Sequence, residues 1–264
     1  MKYDPIKHTI NKYINKNRFL RKVFYICLDL FILRQWYVKR AISRCLVKCQ
    51  SEHDPTIFFD AGAGFCQYSD YVLSKFKDKK VIAVDLKDDF LRNYANSLKP
   101  IKKERFSYIA KDLSVEEKSN LPKAHIIIAI DILEHIKDDI SVLKNFHTTM
   151  SDNAFLIIST PSNYSNNSHF TEEHVREGYS LQELKNKLEN TGFKIVSSQY
   201  TYGFWGNIYW HLTMKFSLSL AKLSKIFIPI YLIIIFFPNL ILMSLDFLIK
   251  KKKGNGILII AHKN

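Results

Sequence analysis

Residues Ile57 to Ser69, IFFDAGAGFCQYS, constrain the fold more than any other stretch of this 264-residue chain. Thr56 to Phe59 reads as a buried strand that closes on an acid, Asp60. A tight turn with Gly62 and Gly64 follows, and a helix opens near Gln67. Glycine lets the backbone turn sharply and approach a ligand where a Cβ would collide. Strand, glycine turn and helix N-terminus together predict a nucleotide-cofactor cradle. The dinucleotide fingerprint G-x-G-x-x-G wants a third glycine where this chain has Gln67, so that fingerprint is incomplete.

The next apolar runs repeat the pattern of a strand closed by an acid. Val81 to Val84 ends in Asp85, 21 residues after Gly64, where a carboxylate can accept both hydroxyls of a ribose. Phe106 to Ala110 leads to Asp112. Ala124 to Ile130 ends in Asp131 to Ile136, DILEHI, and Ala154 to Ser159 ends in STPS. Any one acid alone reads as a solvated loop residue or helix cap. Three in order, each closing a run of strand length, predict a parallel sheet with a cofactor along its carboxyl edge.

On Asp60, Gly62, Gly64, Asp85, Asp112 and DILEHI, residues 55 to 200 resemble the class I S-adenosylmethionine (SAM)-dependent methyltransferases, of the type 11 or type 23 kind. The closest group includes quinone-biosynthesis O-methyltransferases and many bacterial small-molecule enzymes. His174 to Phe193, HVREGYSLQELKNKLENTGF, resembles the late helix and "GF" turn that lead into that fold's sixth strand. The resemblance implies an α/β, Rossmann-like, seven-stranded and mostly parallel sheet with helices on both faces. It implies SAM as cofactor. Asp60 would face the cationic end of SAM, Asp85 with Leu86 the ribose, Asp112 with Leu113 the adenine, and Asp131 the methyl group. Cys66 stands where the family usually has a third glycine, which the turn tolerates if φ stays negative there.

Charge is concentrated at the ends. Residues 1–50 carry twelve Lys/Arg against two Asp (net +10), and residues 215–264 carry eight Lys against one Asp (net +7), so the middle sums to −3 of the total +14. Two basic flanks around a near-neutral domain point to an anionic surface. The four scattered cysteines predict a reducing compartment, with neither a disulfide framework nor a zinc site. Leu20 to Val47 has helical spacing and no cleavage site of a signal peptide. Ile226 to Leu245, IFIPIYLIIIFFPNLILMSL, is nearly free of charge and about long enough to cross a bilayer, but Pro229, Pro238 and Asn239 interrupt it. Gly256 to His262 reads as the last strand, returning between its neighbours, so a full crossing would strand it on the wrong side. The expectation is a monotopic hairpin of two short helices broken near Pro238, with Lys215, Lys222, Lys225 and Lys250 to Lys253 at its ends.

The expected organisation is a basic helical cap (1–50), a SAM-binding core (51–214), an apolar hairpin (215–253) and a final strand (254–264). The expected function is methyl transfer to a small-molecule or lipid-linked acceptor at the cytoplasmic membrane face. Candidate proton-handling residues are Asp131, His135, His169 and His174, with no metal. Arg176 is a candidate anchor for an anionic group, and Trp36 and Tyr37 for the acceptor pocket, core packing being the competing role for both. Two alternatives remain: an RNA methyltransferase, which DILE in place of N/D-P-P-Y speaks against, and a non-catalytic adaptor, which the retained acids speak against.

Overall fold

Seven runs pair into one sheet; the five inner ones are rich in Ile, Val, Phe and Ala and bury on both faces, as strands covered by helices must, while the edge runs Phe106–Ala110 and Phe193–Thr201 are mostly half-buried or exposed. The structure, a computed structural model, describes residues 11, 14, 17–49, 56–115, 122–164, 175–217, 219–220 and 227–263. The strands are β1 (Ile57–Ala61), β2 (Lys80–Asp85), β3 (Phe106–Ala110), β4 (Ala124–Ile130), β5 (Met150–Pro161), β6 (Phe193–Thr201) and β7 (Gly256–Lys263). Their spatial order is β3-β2-β1-β4-β5-β7-β6. The first five are parallel, and β7 runs antiparallel between β5 and β6. The expected fold is therefore present, including the last strand that inserts back between its neighbours. Strand order reverses at β1/β4, so the crevice at the carboxyl edge opens between them.

Leu20 to Val47 forms two helices, α1 (Arg18–Phe31) and α2 (Leu33–Cys49), because Ile32 takes an extended conformation (φ −125°). Asn17 starts α1 by accepting the Leu20 N–H on its side chain. Leu33, Tyr37, Val38, Ala41, Ile42, Cys45, Leu46 and Cys49 recur at helical spacing and are buried against one face of the sheet with Phe58, Ile126, Ile128 and Leu258. So α2 is a core layer and not a cap. Trp36 and Tyr37 follow from this. Tyr37 is buried (3% exposed) and Trp36 packs edge-on against Phe247. Both take the packing role that competed with the acceptor pocket in the sequence.

The other helices of the core are α3 (Gln67–Lys75), α4 (Asp88–Ser97), the short α5 (Pro100–Lys103), α6 (Asp139–Thr149) and α7 (Leu181–Asn190). Ser180 caps α7 through the Glu183 N–H, and Phe193 opens β6 directly after its "GF" turn. Helix α8 (Phe204–Trp210) continues as a π-helix (His211–Phe216). The apolar segment folds as α9 (Phe227–Ile234) and α10 (Phe236–Leu248). The break falls at Ile235, three residues before Pro238. Pro229 and Pro238 each sit third in their helix, where the N–H has no intrahelical acceptor, so neither breaks it. Among the described residues no helix is long and apolar enough to cross a membrane.

Asp246 ties α10 to the core. It is 1% exposed. Its Oδ1 accepts from the Gly203 and Gly206 N–H groups at 2.8 and 3.0 Å, and its Oδ2 from the Tyr37 hydroxyl at 2.7 Å. The carboxylate thus occupies the N-terminus of α8, where unpaired N–H groups favour an anion. A Cβ at Gly206 would lie 2.8 Å from the Asp246 Cγ, so the glycine makes room for it. Lys251 turns inward from the lysine run to Asp246 and Tyr37, and burial lowers its pKa.

Candidate cofactor and acceptor site

The carboxyl edge of the sheet gathers the acids in spatial order. Asp60 is almost fully buried (2% exposed) in β1. Its Oδ2 accepts from the Ser69 N–H at 3.1 Å and the Ser69 hydroxyl at 2.6 Å, both in the first turn of α3. Among the described residues nothing donates to its Oδ1. Burial pushes this carboxyl up to about 7, against the two Ser69 hydrogen bonds that pull it down. The turn hangs on β2: the Gly62 and Ala63 N–H groups donate to the Val84 carbonyl, and the Gly64 N–H donates to Asp85 Oδ2 at 2.9 Å. Gly62 (φ +71°) crosses so close to Ile132 that a Cβ would collide with it. Gly64 (φ +50°) faces open space. Asp85 Oδ1 takes the Lys87 N–H, and Asp112 Oδ1 takes the Ser114 N–H and hydroxyl. Each carboxylate keeps acceptor capacity beyond these bonds.

Cys66 departs from expectation. Its φ is +56°, in the left-handed region, and its side chain is fully buried. A side chain in that conformation costs about 1–2 kcal/mol. Cys66→Gly relieves that strain at the loss of a buried thiol, so thermal melting should move little or upward and cofactor affinity should hold. Cys66→Val, with a branched Cβ, should cost about 2 kcal/mol or more. A glycine variant less stable than the valine one would refute strain at this turn.

Two N-terminal features reach the site. Helix α1 straps the glycine turn: the Tyr25 hydroxyl donates to the Phe65 carbonyl at 2.6 Å, and Phe65 lies between Phe24 and Phe90. At the start of α2, Arg34 pairs with Asp131. Asp131 follows β4 in the left-handed region (φ +52°), held by its N–H to the Ser159 carbonyl at 2.8 Å. The Arg34 N–H donates to the Tyr202 hydroxyl at 3.1 Å.

Beside Asp131, Glu134 is fully buried. Its Oε2 accepts from the Thr160 hydroxyl at 3.0 Å, its Oε1 has no partner among the described residues, and burial raises its pKa. His135 follows in the same 3₁₀ turn (Leu133–His135). Leu86 is exposed beside Asp85, and Leu113 is half-buried beside Asp112. His169 and His174 lie outside the described residues. Arg176 corrects an expectation: its guanidinium is committed to Asp139, to the Tyr179 hydroxyl and to the Ile136 and Lys137 carbonyls. It fastens the chain after residue 174 onto the turn before α6, and its donors are spent there.

Sequence reading missed Arg34, Glu134, Tyr202 and the α1 strap. The signal for Arg34 was a lone cation inside FILRQW, next to positions that bury. Its partner lies far along the chain, where periodicity says nothing.

A Rossmann-like sheet in this order, with a glycine turn at the β1 end and acids along its edge, is a methyltransferase-like fold. Residues 59–156 match a family model described as a methyltransferase domain. No curated protein matches the chain. Among solved structures, a candidate sarcosine dimethylglycine methyltransferase from Galdieria sulphuraria is 12% identical, with a TM-score of 0.60 over 88% of this chain and 84% of that one. Phosphoethanolamine N-methyltransferase 2 of Haemonchus contortus, in complex with phosphomonomethylethanolamine and S-adenosylhomocysteine, is 16% identical (TM-score 0.55) over 83% of this chain and 51% of that one. The [4+2]-cyclase SpnF is 11% identical (TM-score 0.57) over 84% and 80%. These likenesses are of fold, and the cyclase shows that the fold hosts more than one reaction. The domain match carries the activity: residues 59–156 match a methyltransferase domain, which supports SAM-dependent methyl transfer with SAM as the cofactor. The site fits it. A buried carboxyl whose Oδ1 takes no hydrogen bond from the described residues suits a cationic amino group, and the open face of Gly64 suits close approach.

Proposed function

We propose that the protein methylates a small-molecule or lipid-linked acceptor while docked on the cytoplasmic face of a membrane. One observation carries the membrane part. Ile230, Ile234, Phe237, Ile241 and Leu248 follow helical spacing along α9 and α10 and are all exposed, Phe237 by 72% and Leu248 by 75%. The opposite side of α10, Asn239, Met243 and Asp246, faces the protein. Lys215, Lys250, Lys252 and Lys253, all exposed, stand at the two ends. An outward apolar stripe with cations at both ends suits the interface of an anionic leaflet.

When bound, SAM supplies a methyl group on a sulfonium, a leaving group that needs no activation. The chain's own work is positional. Asp60 offers a carboxylate to the cofactor's cationic end, Asp85 and Asp112 offer acceptors to its hydroxyl and amino groups, and α1 covers the turn. Arg34 and Asp131 set the polar wall where the acceptor arrives.

Flotation with vesicles tests the docking. The full chain should float with phosphatidylcholine vesicles containing phosphatidylglycerol, less so as salt rises. An Ile234→Asp/Phe237→Asp variant should stay at the bottom while binding S-adenosylhomocysteine normally. Equal flotation of the variant, or none by the wild type, would overturn this reading.

A further inference from the structure

The acceptor wall and the exposed stripe are joined by a short aromatic path. Phe31, three residues before Arg34 across the break at Ile32, packs edge-on against Phe236 at 5.7 Å, and Phe236 opens α10 next to Phe237. The Tyr209 hydroxyl donates to the Phe31 carbonyl, and Tyr209 lies 6.3 Å from Tyr202, whose hydroxyl meets Arg34. The exposed stripe is thus joined through Phe237, Phe236 and Phe31 to the start of the helix that carries Arg34.

The Arg34 guanidinium has capacity left. It carries five N–H donors in a planar fork, and Asp131 uses only part of it. The side chain is 35% exposed.

We propose that Arg34 is the specificity-determining residue for the acceptor, holding the anionic headgroup, phosphate or carboxylate, of an amphiphile whose apolar chain lies along Phe31, Phe236 and the α9–α10 stripe. This rests on the membrane-face reading and narrows its substrate class. Arginine suits the task because its fork binds such groups through two parallel hydrogen bonds, which an ammonium cannot. Asp131 balances the charge while the headgroup is absent, so Arg34 stays extended into the site.

The test is calorimetry on the full chain saturated with S-adenosylhomocysteine, using dodecyl phosphate, laurate, dodecanol and inorganic phosphate as probes. Wild type should bind at least one of the two anionic amphiphiles about tenfold tighter than dodecanol and than inorganic phosphate. Which one wins distinguishes phosphate from carboxylate. Arg34→Gln should bring that probe down to the affinity of dodecanol, with S-adenosylhomocysteine affinity and melting temperature retained, and Arg34→Lys should fall between. Wild-type binding that ignores the anionic group, or an Arg34→Gln variant that binds as wild type, would overturn the proposal. If Arg34→Gln does not fold, Arg34→Lys decides: unchanged affinity there overturns a bidentate contact. Failure of the underlying reading looks different, as wild type that neither floats with vesicles nor binds any dodecyl probe.

Discussion

Asp60→Asn is expected to weaken binding of SAM about thirty-fold or more at pH 8, because a charge-assisted contact in a buried site is worth about 2–3 kcal/mol. The same change should leave the fold intact, since asparagine keeps an oxygen for Ser69. The pH dependence follows from the sign of the shift. Burial raises the Asp60 carboxyl from its ordinary 3.8 to about 7 in the ligand-free protein. The folded state therefore holds that proton more tightly than the unfolded chain does. The stability it contributes is fully present below pH 4 and is lost as pH rises through 7. Cofactor binding runs the other way, because the cationic end of SAM needs the carboxylate. Affinity should rise about tenfold per unit from pH 5 to 7 and level off above. Calorimetry across that range checks it. Asp60→Asn should abolish the slope and, above pH 7, melt higher than wild type without ligand. A flat profile in wild type would contradict the assigned role.

Asp246→Ala is expected to destabilise the protein by about 3–5 kcal/mol, since it leaves Lys251 half-buried without its counter-charge and two N–H groups of α8 without an acceptor. Asp246→Asn should cost less, about 1–2 kcal/mol, as the amide oxygen still accepts from Gly203 and Gly206. The damage should be local first: hydrogen exchange should rise in α8 and α10 before β1 to β4. Urea denaturation measures the total. A loss under 1 kcal/mol for Asp246→Ala would mean that α10 is held by its apolar contacts alone.

Most of the sheet was legible because parallel strands in such a fold present their C-terminal ends on one edge. Each apolar run then closes on a residue of functional type, and Asp60, Asp85, Asp112 and Asp131 reported their strands one by one. The return of β7 was legible from the GNG turn and the apolar run after it. The helical break was readable in kind but misplaced. Pro238 looks like a breaker, yet within the first turn of a helix it removes no hydrogen bond, and the chain bends at Ile235 instead. Arg176 misled because a cation in a polar loop has no local mark of being spent on Asp139. Arg34 and Tyr37 were hidden for a related reason. Their partners, Asp131 and Asp246, are joined to them by the fold and not by spacing. Cys66 shows a further limit, since no pattern of residue types reveals a positive φ that the turn imposes.

The most direct test of methyl transfer at a membrane face uses SAM labelled in its methyl group. Full-length protein, wild type or Asp60→Asn, is incubated with vesicles made from a total membrane-lipid extract, and the organic phase is analysed by mass spectrometry. One added methyl on an organic-phase species with wild type, and none with Asp60→Asn, is the expected result. Label confined to water-soluble products, or an identical yield from both proteins, would contradict it.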